Sequence, residues 1–274
     1  MNKVSNLIIF LCLFLPSLTI FSQGLEEQPS PLGPAKPRQQ TELGIFVGLG
    51  PNWQTGELFA SCDCPSFRDG SGLAFGLGLL FQRDITSFLQ WGAVVGLSLL
   101  NSTSSYKERE LLVFESETGE KFNNIPVLFR QKSQVGFSNF DLMPFLNFSL
   151  WDVSFLRLGI KASLPFYTHI NHTKELLDKS VRLENGETIS ISIGNGDVVK
   201  LEDGFVEQVN SFLFSFTPAI GFSFNLTGNI FLGFAFTYQL PLNNYSERGK
   251  NYRWHSWFLS LELKYALVLR KWLE

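Results

Sequence analysis

The chain has 274 residues, a formal net charge of −3 and a hydrophobic content of 45%, with 28 phenylalanines. It has no cluster of basic residues, so composition argues against a nucleic-acid partner. Beyond the N-terminal segment, no apolar run is long enough to form a helix that spans a bilayer. A chain this apolar must bury its hydrophobic surface in a core or in lipid.

The N-terminus has the pattern of a secretory signal peptide, predicted over residues 1–23. Lys3 precedes an apolar run over residues 7–15, and Pro16 and a polar exit follow. A membrane anchor is the alternative, but the run is shorter than a spanning helix and Pro16 interrupts it. Residues 24–40 are polar and contain four prolines, which predicts an extended periplasmic lead.

Alternation with a period of two is the main structural signal of the remaining chain. Within residues 213–224, phenylalanines and Ile220 occupy one parity, and small, weakly polar residues occupy the other. Similar segments of roughly ten residues are typical of transmembrane β-barrels. The predicted strands are 43–49, 73–82, 89–99, 137–148, 155–166, 212–224, 230–240 and 257–269.

The connections between these strands alternate in length. Short turns are predicted at 83–88, 149–154 and 225–229, and long loops at 50–72, 100–136, 167–211 and 241–256. In outer-membrane barrels, the short turns lie in the periplasm and the long loops outside. We therefore predict an all-β fold for residues 41–274: an eight-stranded antiparallel up-and-down transmembrane β-barrel in the outer membrane, with both mature termini in the periplasm.

The rival fold is a soluble eight-stranded barrel of the lipocalin type. Its outer face would be rich in charge, because that face would meet water. In the second and third predicted strands the less apolar parity instead carries small residues such as Gly76, Gly78, Gly92 and Gly96. Such residues suit a narrow lumen, which favours the membrane barrel.

Two of the long loops contain strand signals of their own. Residues 110–114 and 125–129 flank a turn-like sequence at 117–120, which predicts a hairpin that extends the barrel wall. Residues 181–183, 188–193 and 198–201 are separated by turn signals, which predicts a small strand-rich protrusion.

A few charges fall on the lumen parity: Glu42, Asp141, Arg157, Lys161, Glu262, Lys264 and Arg270. Counting register from the turn after the fourth strand places Asp141 within reach of Lys161. Closing the barrel similarly brings Arg270 near Glu42. These charges predict either a salt-bridge network that plugs the lumen or an ion path. An eight-stranded barrel is narrow enough to be filled by its own side chains, which favours the plug.

Three histidines fall in the outer loops or at the rim: His169, His172 and His255. A lipid-acting enzyme would combine such a histidine with a serine and an acid, and the local candidates are Ser256 beside His255, and Glu175 or Asp178 near His172. No motif fixes these groups together. We therefore predict a non-enzymatic protein with no catalytic, cofactor-binding or metal-binding residues.

The predicted mature chain contains two cysteines, Cys62 and Cys64. They are open to three interpretations: a local disulfide, half of a metal site, or two incidental thiols. No cluster of His or carboxylate residues accompanies them.

Four tryptophans are predicted to lie in interfacial aromatic girdles: Trp91, Trp151, Trp254 and Trp257.

Three motifs give the chain a family resemblance. They are Phe-Ser-Gln at 21–23, the sequence FDLMPFL at 140–146 leading into LRLGIK at 156–161, and a hairpin from 221–224 to 231–234. With them the chain resembles the Bacteroidota outer membrane protein β-barrel domain family, the PorT-like small barrels. The resemblance implies an outer-membrane barrel without shared catalytic residues and, for one member type, a role in secretion of surface proteins through the type IX system. Many outer-membrane barrels end on an aromatic residue, whereas here Trp272 is followed by two further residues.

The sequence thus favours an integral outer-membrane protein whose loops bind an envelope or surface partner, with outer-membrane lipid around the barrel. Strand addition to an exposed hairpin is one means of recruitment. The alternatives are a narrow channel and a lipid-acting enzyme.

Overall fold

A computed structural model of the chain describes residues 40–59, 66–115, 121–151, 153–182, 186, 188–193 and 196–267. The predicted signal peptide and almost all of the lead lie outside these residues. The same is true of Cys62, Cys64 and Arg270. No helix in the described part of the chain is long and apolar enough to cross a membrane.

The described residues form eleven β-strands in chain order. They are β1 (Thr41–Leu58), β2 (Ser71–Asp84), β3 (Leu89–Glu115), β4 (Lys121–Ser149), β5 (Ser154–Leu176), β6 (Ser180–Arg182), β7 (Thr188–Ser190), β8 (Val198–Gly204), β9 (Leu213–Thr227), β10 (Ile230–Pro241) and β11 (Gly249–Leu267).

Eight of these strands close into a ring. β1 to β5 pair in succession, β5 pairs with β9, β9 to β11 pair in succession, and β11 pairs with β1. Every pairing is antiparallel, and each ring strand neighbours the next one along the chain. The predicted eight-stranded up-and-down barrel is therefore confirmed, and each of the eight predicted segments overlaps a ring strand.

The outer face of the ring is apolar. On β1, Leu43, Ile45, Val47 and Leu49 are each about half exposed, and the other ring strands have similar rows. The inward face carries mostly small or polar residues, as the alternation predicted, together with an apolar cluster that includes Leu80, Val94 and Phe145. A continuous exposed belt of this kind is the surface that lipid covers in a transmembrane barrel.

Short connections lie at one end of the barrel, at 85–88, 150–153 and 228–229, and we call it the short-turn end. The other end, the long-loop end, differs from the prediction in strand length. The predicted loop at 100–136 is mostly strand, because β3 and β4 stay paired from Leu89↔Phe148 to Glu115↔Lys121. The strands extend beyond the apolar belt because backbone pairing and an inner core persist where the outer face becomes polar.

These extensions form a sheet that projects from the long-loop end. We define the projecting sheet as residues 104–115 of β3, 121–135 of β4, 168–176 of β5, and all of β8. The β6–β7 hairpin packs on its inner face, where Ile191 meets Val127, Phe129 and Leu176. The predicted hairpin extension and strand-rich protrusion are both present.

Candidate functional site

Among the described residues, three ion pairs occupy the lumen. Arg157 binds Glu262 through two contacts of 2.5 and 3.0 Å, Lys161 Nζ lies 3.4 Å from Asp141 Oδ2, and Lys264 Nζ lies 3.1 Å from Glu42 Oε2. All six side chains are buried. Equal numbers of acids and bases make this set electrically neutral, as burial in a narrow barrel requires.

Polar neighbours complete the network. Ser163 Oγ donates to Asp141 Oδ1 at 2.5 Å, and Lys161 Nζ donates to Gln239 Oε1 at 2.7 Å. Gln82 Nε2 donates to Glu42 Oε2 at 2.6 Å. The predicted contact of Asp141 with Lys161 is confirmed. Glu42 pairs with Lys264, and its predicted neighbour Arg270 lies outside the described residues.

Aromatic rings fill the lumen around Arg157. Its guanidinium lies 4.4 Å from the Phe145 ring centroid and 5.0 Å from that of Phe155. Glycines on adjacent strands make room for these rings, since a Cβ atom at Gly92 or Gly221 would lie 2.4 Å from the nearer ring. The cross-section at this level is therefore occupied by packed side chains.

An apolar cluster covers the mouth of the barrel at the long-loop end. Three connections contribute Phe67, Val206 and Tyr245, which pack with Phe137 and Trp254 of the wall. The cluster also contains buried residues of several ring strands.

An ion pair ties two of the covering segments together. Arg248, in the connection between β10 and β11, contacts both carboxylate oxygens of Glu202 on β8 at 2.7 and 3.0 Å. This closure could not be predicted from local sequence patterns, because its members are far apart along the chain.

The prediction that Trp254 lies in an interfacial girdle is wrong. Its side chain is 1% exposed and packs edge-on against Phe137, with the centroids 5.1 Å apart. Trp254 shares the parity of the lumen residues Ser256 and Glu262, so extending the alternation toward the start of β11 would have placed it inside. Trp151, by contrast, is 74% exposed at a short turn.

The histidines do not form a catalytic grouping with their sequence-predicted partners. His172 is fully buried, lies edge-on to Phe67, and has Nε2 3.0 Å from Gln131 Oε1. His255 stacks on Trp53. Ser256, next to it in sequence, faces the lumen and donates to Gln239 at 3.2 Å.

The two candidate acids are engaged elsewhere. Glu175 pairs with Arg130 at 3.0 Å, and Asp178 accepts a hydrogen bond from the Leu128 N–H at 3.0 Å. Within the described residues, no group of three or more His, Cys, Asp or Glu side chains could hold a metal ion. The alternatives for Cys62 and Cys64 lie outside the described residues.

The projecting sheet has a free edge. β2 pairs with β3 only as far as Ser71↔Thr103, and among the described residues no strand pairs with the outer edge of β3 from Lys107 to Glu115. On this stretch Leu111 and Val113 point outward and are each 64% exposed. Unpaired backbone and exposed apolar side chains thus occur together.

No protein-family model and no curated protein sequence matches the chain. Several solved outer-membrane proteins are similar in structure. Ail of Yersinia pestis is 11% identical with a TM-score of 0.32, and the match covers 82% of this chain and 99% of Ail. Neisserial surface protein A is 12% identical with a TM-score of 0.35, with coverage of 81% and 96%. The outer membrane protease OmpT of Escherichia coli is 10% identical with a TM-score of 0.31, with coverage of 87% and 100%.

Similarity at this level says nothing about activity or ligands. The assignment of the fold rests on the closed ring and its apolar exterior. The chain has the fold of an eight-stranded outer-membrane β-barrel.

Proposed function

We propose that the chain is a non-enzymatic integral outer-membrane protein that holds the projecting sheet outside the cell as a binding surface for an envelope or surface protein. In this orientation the long-loop end faces outward, and both mature termini lie in the periplasm. The observation that carries the proposal is the free edge of β3 with Leu111 and Val113 exposed beside it.

A free edge of this kind is normally blocked, because unpaired N–H and C=O groups recruit other strands. Lipid does not account for the exposed side chains. Leu111 lies twelve residues beyond Leu99 of the apolar belt, which is roughly 30 Å along the membrane normal at ~3.3 Å per residue and a tilt of ~40°. Addition of a partner strand would satisfy the edge and cover both side chains.

The closed lumen supports this proposal over a channel. Paired charges, packed rings and the apolar mouth cluster leave the interior filled along much of its length. We expect no discrete conductance from the purified protein in planar bilayers. Steps that change when Arg157 or Lys161 is neutralised would favour the channel instead.

The dispersed histidines support a protein without catalytic activity. If this is wrong, lipid A from cells carrying the protein would show a changed mass that depends on His172 or His255. A role in secretion of surface proteins is a narrower form of the binding proposal, and the resemblance to PorT-like barrels is its only support.

The binding surface is testable with a photoreactive amino acid incorporated at Leu111 of the protein in living cells. Phe88, an exposed residue at a short turn, is the matched control position. We expect a discrete protein adduct from position 111, and not the same adduct from position 88. Replacing residues 107–130 with an Asn-Gly turn, which leaves the Tyr106↔Gln131 pair to close the hairpin, should abolish partner retention.

The control variant removes only the tip of the β3–β4 hairpin. Residues 113–124 are replaced with an Asn-Gly turn, and the Leu112↔Ile125 pair closes the hairpin. It retains much of the free edge and should retain more of the binding. The proposal fails if the folded shortened barrel keeps all of its protein contacts and position 111 yields no adduct.

A further inference from the structure

The outer face of the projecting sheet carries a cluster of cations on a chain whose net charge is −3. Its members are exposed or partly exposed and lie on β3, β4 and β8, with β5 between β4 and β8. We define the cation cluster as Lys107, Arg109, Arg130, Lys132 and Lys200.

The strand register brings like charges together within this cluster. Lys107 lies directly opposite Arg130, and Lys132 follows Arg130 on the same face of β4. Opposed residues in a sheet have Cβ atoms about 5 Å apart, so two cations in such a pair repel each other. A bound anion would relieve that repulsion.

The protein supplies only part of the neutralising charge itself. Glu175 binds Arg130 at 3.0 Å, and Asp203 pairs with Lys200. Within the described part of the chain, Lys107, Arg109 and Lys132 form no ion pair. The face therefore keeps an excess of positive charge at its centre.

The surface at this centre is concave. A shallow cavity of about 490 Å³ is lined by Ser105, Tyr106, Lys107, Arg130, Lys132 and Glu175. Arginine suits phosphate because its guanidinium can donate two parallel hydrogen bonds, and the lysines add positive charge around it. A hydroxyl such as that of Ser105 can donate to a phosphate or a sugar oxygen.

The height of the cavity above the apolar belt indicates which kind of molecule would supply the phosphate. Ser105, the neighbour of Lys132 across the strands, lies six residues beyond Leu99, which is roughly 15 Å above the apolar belt at ~3.3 Å per residue and ~40° tilt. That level is above the acyl chains and within reach of a large, phosphorylated sugar headgroup. A smaller phospholipid headgroup would lie lower.

We propose that the cation cluster binds the phosphorylated saccharide headgroup of the glycolipid in the outer leaflet, that is, lipopolysaccharide. The proposal rests on the outward orientation of the long-loop end given under Proposed function. It does not depend on a protein partner, because the cluster lies on the face of the sheet and strand addition uses the edge.

The test measures binding of purified lipopolysaccharide to the protein in detergent, with phosphorylated and chemically dephosphorylated preparations as probes. The test variant is Lys107→Gln, Arg130→Gln and Lys132→Gln combined. We expect its affinity for the phosphorylated probe to fall by at least about tenfold, because charge-assisted contacts are lost. Higher salt should weaken binding by the parent protein.

A matched control combines Lys121→Gln, Arg182→Gln and Lys250→Gln, which removes the same charge from exposed positions elsewhere. This control should bind like the parent. Heat-dependent gel migration verifies that each barrel is folded, and the thermal stability of the test variant should equal or exceed that of the parent because like charges have been removed.

Equal binding by the parent and the folded test variant would overturn the proposal, as would equal binding of the dephosphorylated probe. Heparin, a soluble sulfated glycan, is the competing probe. Cluster-dependent binding of heparin without binding of lipopolysaccharide would also overturn it. Loss of the Leu111 adduct with lipopolysaccharide binding intact would count against the proposed protein partner alone.

Discussion

Arg157 shows how a single charged residue is accommodated inside this barrel. Glu262 supplies two acceptor oxygens, and the rings of Phe145 and Phe155 cover the guanidinium. Burial of a charge is costly unless a partner and hydrogen bonds compensate it. Each partner of such a pair thus becomes more important to stability than an exposed charge of the same type.

Glu262→Gln should therefore destabilise the barrel by about 3–5 kcal/mol, because it leaves the Arg157 charge buried without a counter-charge. Urea unfolding in lipid vesicles measures the change. Asp197→Asn, at an exposed ion pair with Lys179, is the matched control and should have no measurable effect. Equal losses in the two variants would show that the lumen pair is not desolvated.

His172 makes the mouth sensitive to acid. Burial is the main cause that lowers its pKa from 6.5, and Arg248 acts in the same direction while Glu202 opposes it. It lies on β5 beyond the apolar belt, facing Gln131 of β4, Glu202 of β8 and Arg248 of the β10–β11 connection. The folded state therefore takes up a proton at this histidine at a lower pH than the unfolded state, which does so below about pH 6.5.

The stability contributed at His172 should be complete above pH 6.5 and should decrease as the pH falls below it, by at most about 1.4 kcal/mol per pH unit. Unfolding of the parent and of His172→Gln between pH 8 and pH 5 measures the difference in slope. The variant should have a flatter profile than the parent. A slope shared by the two proteins would contradict the assignment.

At the scale of elements, the membrane part of each strand was predictable and the outer part was not. Lipid imposes an apolar residue at every second position, so segments such as 43–49 and 230–240 can be recognised without neighbours. Beyond the belt that constraint ends. In β3, Lys107 and Arg109 alternate with Glu108 and Glu110, and this pattern does not distinguish a strand from a polar loop.

Bulges and long-range contacts account for the remaining features that the sequence did not predict. The register shifts between Thr55 and Glu57 on β1, and between Ser138 and Asn139 on β4, and each shift breaks a simple count of parity. The burial of His172 has the same cause. β5 carries an extra residue opposite Ser138 and Asn139, which reverses the inward parity of the residues that follow it. The Arg248–Glu202 pair joins loops whose conformations no local pattern specifies.

The β6–β7 hairpin is held to the projecting sheet mainly by apolar contacts. Ile191→Asp would place a charge in the cluster with Phe129 and Leu176, which costs several kcal/mol. We expect amide hydrogen exchange in β6 and β7 to accelerate by at least about tenfold while the ring strands stay protected. The matched control, Ser190→Asp at an exposed position, should leave exchange unchanged. Faster exchange throughout the barrel would contradict the picture of a hairpin docked as a separate unit.

At the scale of the whole molecule, the chain combines a filled barrel with a structured projection on one end. The barrel provides anchorage, because its exterior is apolar and its edges are closed. The projection carries both features left unsatisfied by the protein itself: the free edge of β3 and the excess positive charge beside it. Specific recognition is therefore expected at the long-loop end rather than in the lumen.

Both proposed functions require that the long-loop end of the barrel faces out of the cell, and labelling of intact cells tests this orientation directly. Leu111→Cys and Phe88→Cys are compared in a protein whose Cys62 and Cys64 are replaced by serine. A membrane-impermeant maleimide should label position 111 on intact cells and position 88 only after the outer membrane is permeabilised. Labelling of position 88 alone on intact cells, or recovery of the chain outside the membrane fraction, would contradict the account.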